Sequence, residues 1–403
     1  MLQTIESITE FEKLRTEWNQ VLGASRSNCF FLTWEWLYTW WKHLSGKRRL
    51  FLVTARLREE LVAIAPLARK PSRVSRFWPF GSLEFLGVGN VGSDYLDLII
   101  RQDKEQEVLP ALIQYLVRDH SLLELAQINR QFCLAGGFAK HWRERGWSLR
   151  EASSNVCPTI NLSGHTWDSY LATLGSEHRY NFRRKLKNLT NRFDVRFEPA
   201  RSEEQRQEAL AVLLALHSSR WQERSDAFVT PQLISFHDEL SSLALQRGWL
   251  RLFTLRLDGK PVASLYGFQY NHVFYFYQSG FDPSYSKYSV GLIAMGLAIQ
   301  SAIADGAKEY DLLHGDEAYK FHWARETREL GRLELYPPGA LGLAWKQVRG
   351  TGRGLKKVAR NVLPPAVAEW LAEARRKRAV GIPYVAHSHQ DRQFPCLTLD
   401  GDG

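Results

Sequence analysis

Cysteine is scarce. The chain has four in 403 residues, at positions 29, 133, 157 and 396, with no CxxC pair. That spacing excludes a disulfide-stapled scaffold and a zinc ribbon, and it makes a reducing, cytoplasmic setting the expectation. No apolar run reaches the ~18 residues that a membrane span needs. The first twenty residues carry acids and no apolar stretch, so no secretion signal is expected. Walker A, HExxH and GxSxG motifs are missing, and no His/Cys group has metal-ligand spacing. P-loop chemistry, a hydrolase nucleophile elbow and metal catalysis drop out, and no metal is expected.

Large apolar side chains are plentiful, with 14 Trp, 15 Tyr and 21 Phe. Disorder over most of the chain is therefore excluded. The length predicts more than one core. The net charge of +10 invites a nucleic-acid reading, but the charge is not spread evenly. Residues 341–380 hold ten basic residues against Glu369 and Glu373, a net +8, which leaves +2 for everything else. Pro364-Pro365 divides this segment into two expected helices, with apolar positions such as Leu355, Val358, Val362 and then Val367, Trp370, Leu371 at near-helical spacing. The segment fits a basic helical extension that docks on an anionic membrane surface, or a solvated face packed on its own core. Residues 381–403 read as an irregular tail.

An internal repeat organises the rest. Residues 52–67 (LVTARLREELVAIAPL) and 252–267 (LFTLRLDGKPVASLYG) align without a gap, and six positions are identical. Each copy predicts a strand, a short polar turn and a second strand. A Trp-bearing helix is expected ahead of each hairpin, at 33–43 and 209–222. Two similar α/β halves follow, 1–150 and 151–340. The second half continues with an aromatic strand at 272–279, a turn at 280–283, an uncharged helix at 292–304 stopped by Gly306, and a strand at 309–313. The expected fold class is thus α/β with a mixed sheet, in which a helix follows the central strand.

Four stretches carry candidate chemistry. Residues 87–92 fit GxGxxG, but a dinucleotide site needs a helix to start there, and 95–100 (YLDLII) predicts a strand instead. The segment is read as a loop. Residues 287–292 (KYSVGL) predict a helix start with Ser289 as cap, whose amides and dipole suit phosphates. Beyond the closing strand, 311–323 (DLLHGDEAYKFHW) gathers acids, His, Tyr and Lys. There Asp311, Glu317 or a His offers a general base, Tyr319 a proton donor, and Lys320 a cation. Residues 178–188 (HRYNFRRKLKN) predict a basic helix that meets phosphates or is merely solvated. His217 and Arg220, on the helix ahead of the second hairpin, either line a pocket or are structural.

Taken in order, these segments resemble the GNAT-type acyltransferase domain of the bacterial CelD/BcsL-like proteins, which are linked to cellulose or exopolysaccharide biosynthesis. The resemblance rests on YNFRRKLKNL, LHSSRW, GKPVAS, YFYQSGFDPSY, the Gly291 helix start and GDEAYKFHW, over about residues 170–320. WEWLYTWW, VAIAPLAR and SDYLDLII extend it into the first half. The plan is similar to the tandem GNAT halves of FemAB-like aminoacyltransferases. The resemblance implies an acyl-CoA donor, acetyl-CoA or another, held at Lys287, Tyr288, Ser289, Val290, Gly291 and Leu292. In place of the family's Q/RxxGxG/A loop the chain has only KYSVG. It implies Asp311, Asp316, Tyr319 and Lys320 as catalytic residues, and His217, Arg220 and His314 toward the substrate. The first half is expected to be a degenerate partner that shapes the acceptor cleft. The implied acceptor is an amine or hydroxyl of a sugar, polysaccharide or cell-envelope precursor. The alternatives are aminoacyl transfer from charged tRNA and a non-catalytic partner of a polysaccharide synthase. The enzyme is expected in the cytoplasm or at the inner face of the membrane.

Overall fold

The computed structural model describes residues 1–71, 81–89, 91–131, 134, 141–221, 228–340, 342–344 and 346–347. The basic extension and the tail, as well as Cys133 and Cys396, lie outside them, apart from the first few residues of the extension. Among the described residues no helix is long and apolar enough to cross a membrane.

Strand β1 (Leu2–Ile5), helices α1 (Ile8–Lys13), α2 (Arg15–Gly23) and α3 (Trp34–Leu44) lead into the first hairpin, β2 (Arg49–Leu57) and β3 (Glu60–Arg69). Then come β4 (Ser82–Phe85), β5 (Ile99–Ile100), α4 (Glu105–Arg118), β6 (Leu122–Asn129) and the long β7 (Ser148–Asn161). Next are α5 (Trp167–Thr173), the basic α6 (Ser176–Thr190), β8 (Val195–Pro199), α7 (Glu203–Trp221) and α8 (Pro231–Gln246). The second hairpin is β9 (Leu250–Leu257) and β10 (Lys260–Tyr270), followed by β11 (Val273–Phe281), α9 (Val290–Ala304), β12 (Glu309–Asp311), the single turn α10 (Ala318–Phe321) and β13 (Glu326–Tyr336).

Both hairpins form where the alternation predicts them. Their turns hold Arg58 and Glu59, and Asp258 and Gly259, at positive φ. All these strands join one sheet, ordered β1-β2-β3-β4-β6-β13-β7-β12-β11-β10-β9-β8. The order reads the same from either end. β1 to β4 pair antiparallel and β4 pairs β6 in parallel; β8 to β11 pair antiparallel and β11 pairs β12 in parallel. At the centre the halves exchange strands. β7, from the first half's end, pairs β12, and β13, from the second half's end, pairs β6. β7 and β13 then pair with each other over eleven positions. The expected division at 150 therefore falls inside β7, and residues 1–346 form one compact unit.

Two other expectations need correction. The strand expected at 95–100 shrinks to Ile99–Ile100, because Tyr95 sits at φ 58° and the segment before β5 runs as a loop. The helix directly ahead of the second hairpin is α8, which carries no Trp; the 209–222 stretch is α7, one helix earlier. α3 and α8, each the helix before its hairpin, pack on each other. Trp36 of α3 meets Phe236 of α8 edge-on at 5.3 Å.

Buried histidines in the α7/α8 layer make stability depend on pH. Burial pushes the His237 pKa down to about 3, and burial followed by the charge of Arg220 pushes His217 to about 4. Both are neutral in the fold, whereas a histidine of the unfolded chain titrates near 6.5, so protons bind the unfolded chain first. Stability is expected to hold above about pH 6.5 and to fall below it toward pH 4, by up to ~1.4 kcal/mol per pH unit for each histidine. Urea midpoints at pH 7 and 5 measure this. His237→Phe, in a shell of Phe228, Phe236, Tyr266 and Tyr277, should flatten the dependence; an unchanged slope would refute the assignment.

Candidate active site

β11 and β12 stay paired for only three residues, Val273–Tyr275 against Glu309–Asp311. Beyond that they separate, and among the described residues β11 keeps β10 alone as its strand neighbour. The register then steps from Phe276↔Gly267 to Gln278↔Tyr266, leaving Tyr277 as the extra residue of a bulge. A bulge re-aims the side chains that follow it. Tyr275 and Tyr277 turn toward the aromatic layer of α3 and α8. Phe276, Ser279 and Phe281 line a cavity of about 280 Å³ against α9. The strand runs through Phe281, past the turn expected at 280.

Gly280 sets the depth of the opposite wall. A Cβ there would overlap the backbone of Leu216 and His217. Its absence lets α7 ride down on β11, and Arg220, a turn further on, reaches Ser279 Oγ at 3.0 Å. The Arg220 guanidinium lies 4.8 Å over the Phe281 ring and 5.8 Å over Tyr319. Desolvation lowers its pKa, with the charges of Tyr319 and Glu317 acting the other way. Tyr319, His322 and Trp323 of α10 and its following turn close the cavity.

The third wall is the start of α9. Ser289 is not the side-chain cap that the sequence predicts: it sits at φ 56°, ψ 37° and its side chain makes no capping bond. The first intrahelical bond from this end is Ile293 N–H to Ser289 O, at 3.0 Å. The amides of residues 290–292 precede it, and geometry leaves such amides without a partner inside the helix. They stand at the positive end of a fifteen-residue helix, and Ser289, Val290, Gly291 and Leu292 all line the cavity. This is the chemistry of an anion site.

The structure gathers some of the residues singled out from sequence and scatters others. Arg220, Tyr319 and residues 289–292 meet at the cavity. Lys287 and Tyr288 stand outside its lining, with the ammonium 5.1 Å over the Tyr288 ring. His217 is buried behind the wall, 5% exposed. Asp316 is exposed. Asp311 is fully buried on the far side of the sheet, beside the phenol of Tyr95, and burial raises its pKa to about 7. Lys320 is 3% exposed and already engaged. It donates to Leu313 O at 3.2 Å and His314 O at 2.7 Å, and pairs with Glu317 at 2.9 Å. It clamps the 313–317 segment instead of facing a ligand.

His314 is placed differently again. Its Nδ1 lies 2.8 and 3.0 Å from the two carboxylate oxygens of Asp94, and its backbone N–H donates to Asp94 Oδ2 at 2.9 Å. Asp94 is fully buried and also accepts from Gln127 Nε2 at 3.1 Å. It sits on the glycine-bearing loop after β4, and sequence reasoning missed it. The signal was a pair of acids, Asp94 and Asp97, inside an otherwise apolar run. That loop enters the gap where β4 and β6 separate, since Leu96 N–H donates to Gln127 O at 2.9 Å. The gap equivalent to the cavity is thus filled in the first half by its own chain.

Neither described cysteine is poised as a nucleophile. Cys29 and Cys157 are buried, and burial lifts the Cys29 thiol to about 12 and Cys157 well above its ordinary value. Among the described residues no group of three or more His, Cys, Asp or Glu is arranged to hold a metal.

Comparison with known proteins bears on this geometry. Residues 176–321, which run from α6 through α10, match the acetyltransferase (GNAT) domain family. No curated protein matches the chain. Among solved structures, FemX superposes with a TM-score of 0.55 at 11% identity, covering 82% of this chain and 96% of its own. A conserved protein of unknown function from Bacteroides thetaiotaomicron superposes with a TM-score of 0.54 at 14% identity, covering 83% and 99%. At such identities the likeness is one of fold. Residues 176–321 thus carry a domain of acyltransferase type.

Proposed function

We propose that the chain transfers an acyl group, acetyl in the first instance, from coenzyme A to an amine or hydroxyl of a sugar, polysaccharide or cell-envelope precursor. The observation that carries the donor half is the separation of β11 from β12 with uncapped helix amides at its mouth. The edge of β11 over 276–281, unpaired among the described residues, offers backbone groups to the two amides of a pantetheine arm, as an open strand edge does to any extended chain. Residues 290–292 would then hold the pyrophosphate. The cavity, about 280 Å³, lies near the lower end of small-molecule sites, roughly 300–1,000 Å³. It suits the acyl-pantetheine arm and leaves the nucleotide outside. Coenzyme A supplies the activated thioester. The protein aligns that thioester with the acceptor and moves one proton, and Tyr319, in the wall, would protonate the departing sulfur. In this reading the first half, its own gap plugged, serves as scaffold for the acceptor side.

One observation supports a second reading, aminoacyl transfer from charged tRNA. The basic face of α6, with Arg179, Arg183, Arg184 and Lys185, is joined to the cavity wall through His178 Nε2 and His322 Nδ1, 3.0 Å apart. Calorimetry distinguishes the two. Acetyl-CoA is expected to bind at micromolar concentration, and no heat at millimolar ligand would refute the first reading. Salt-sensitive tRNA binding lost on neutralising Arg183, Arg184 and Lys185 would favour the second.

A further inference from the structure

We infer that His314 is the general base of the transfer and that Asp94, supplied by the first half, positions it. The inference rests on the donor reading above and goes beyond it by naming the group that takes the acceptor's proton.

Geometry carries it. Asp94 is fully buried and holds the imidazole through Nδ1, so Nδ1 carries the hydrogen and Nε2 keeps its lone pair. Pinned on that side, the ring turns Nε2 away from the buried carboxylate. Among the described residues Nε2 has no protein partner, and the side chain is 36% exposed. A histidine with one nitrogen fixed by a buried carboxylate and the other open is arranged as a base with an orienting acid. Its place is equally specific. His314 lies three residues beyond Asp311, the last residue of β12 paired with β11. That is where the two strands part and where the thioester end of a donor lying along β11 would come to rest. The Asp94 loop packs on the α3 face, with Ser93 Oγ accepting from Trp36 Nε1 at 2.8 Å, whereas the donor cavity is walled by α9. Acceptor and donor would meet at the parting of the strands from opposite faces.

The electrostatic setting favours proton uptake by the ring. Asp94 raises the His314 pKa above its ordinary value; burial and Lys320 oppose that, and Glu317 adds to it. Among the described residues, Asp94 acts on the ring from the loop after β4, and Lys320 and Glu317 act on it from the α10 segment; the Cys157 thiol of β7 donates to Asp94 Oδ2 behind it. Glu317 also acts on Arg220 and Tyr319, so the dyad and the cavity share one field.

The step balances. Nε2 takes the proton as the acceptor nitrogen or oxygen bonds to the acyl carbon. The carbon–sulfur bond breaks as the Tyr319 phenol gives its proton to the departing thiolate; the proton on Nε2 then passes to solvent, and the Tyr319 phenolate takes one back from it. The products are the acylated acceptor and coenzyme A thiol.

The test uses the full chain, acetyl-CoA as donor, and hydroxylamine or water as acceptor, with released thiol read by absorbance. His314→Gln keeps an N–H toward Asp94 and so protects the fold. It should cost roughly 10²–10⁴ in kcat, with calorimetric binding of acetyl-CoA unchanged. Asp94→Asn should lower kcat and also move the acidic limb of the pH–rate profile to lower pH, because the group that raises the His314 pKa is gone. A structural role for Asp94 would not move the limb. Retained turnover in His314→Gln overturns the inference, as does an unmoved limb in Asp94→Asn. So does a wild-type chain that binds acetyl-CoA yet releases no thiol to either acceptor. Loss of acetyl-CoA binding by the wild type points instead to failure of the donor reading.

Discussion

Trp36→Ala is expected to destabilise the protein by about 3–5 kcal/mol, the usual range for emptying a fully buried indole site. The Trp36 ring is 0% exposed. It stands 4.8 Å from Phe31, 5.3 Å from Phe236 and 5.6 Å from Tyr277, all close to perpendicular. Those partners come from both halves, so the residue closes the seam between α3, α8 and β11. Its N–H also fixes Ser93, which in turn donates to Gly87 O at 2.6 Å and holds the loop that carries Asp94. Trp36→Phe retains most of the ring and loses the hydrogen bond, and should cost only about 1–2 kcal/mol. Urea denaturation at pH 7 measures both. A loss below about 1 kcal/mol for the alanine variant would show that the seam is held elsewhere.

Gly291→Asp should weaken acetyl-CoA binding on the order of 100-fold while leaving the fold intact. A carboxylate in the first turn of α9 is favourable for the helix itself, because it faces the positive end of the dipole. Toward a pyrophosphate it is repulsive, by roughly 3 kcal/mol per charge pair at about 6 Å with an effective dielectric near 20, part of which salt screens. Each 1.4 kcal/mol is about tenfold in Kd. Gly291→Ala is the control. Its Cβ would meet Phe281 Cδ1 at 3.4 Å, an ordinary contact, so Kd should rise only a few-fold. Calorimetry on both variants decides the matter. Equal affinities for Ala and Asp would remove the helix start from the anion site.

The parts legible in the sequence were those with local causes. Alternation and short polar turns marked both hairpins, and an uncharged run over 292–304 with Gly306 behind it marked α9. Residues 287–292 were flagged by a helix start with a glycine in its first turn, although the left-handed Ser289 was not foreseen. What stayed hidden depended on contacts distant in sequence. The apolar run after Gly92 looks like a strand, yet it turns inward at Tyr95 because the gap between β4 and β6 accepts it. α8 carries no Trp, so matching the hairpins by their Trp-bearing helices paired α3 with α7. Lys320 looked available in a polar segment, and only the carbonyls of Leu313 and His314 show that it is engaged. Asp94 and His314 lie 220 residues apart, and no local pattern announces that they meet.

The exchange of β7 and β13 has a consequence for how the chain is made. As residues leave the ribosome, the first half can form β1 to β6, but the inner edge of β6 has no partner until 326–336 has been synthesised. Through all that time an apolar strand edge, with Leu123 and Leu125 on it, stays open to pairing with other chains. A fragment ending near residue 150 would keep that edge permanently and should aggregate instead of folding. The two halves are similar in plan, but neither can reach its final form before the other.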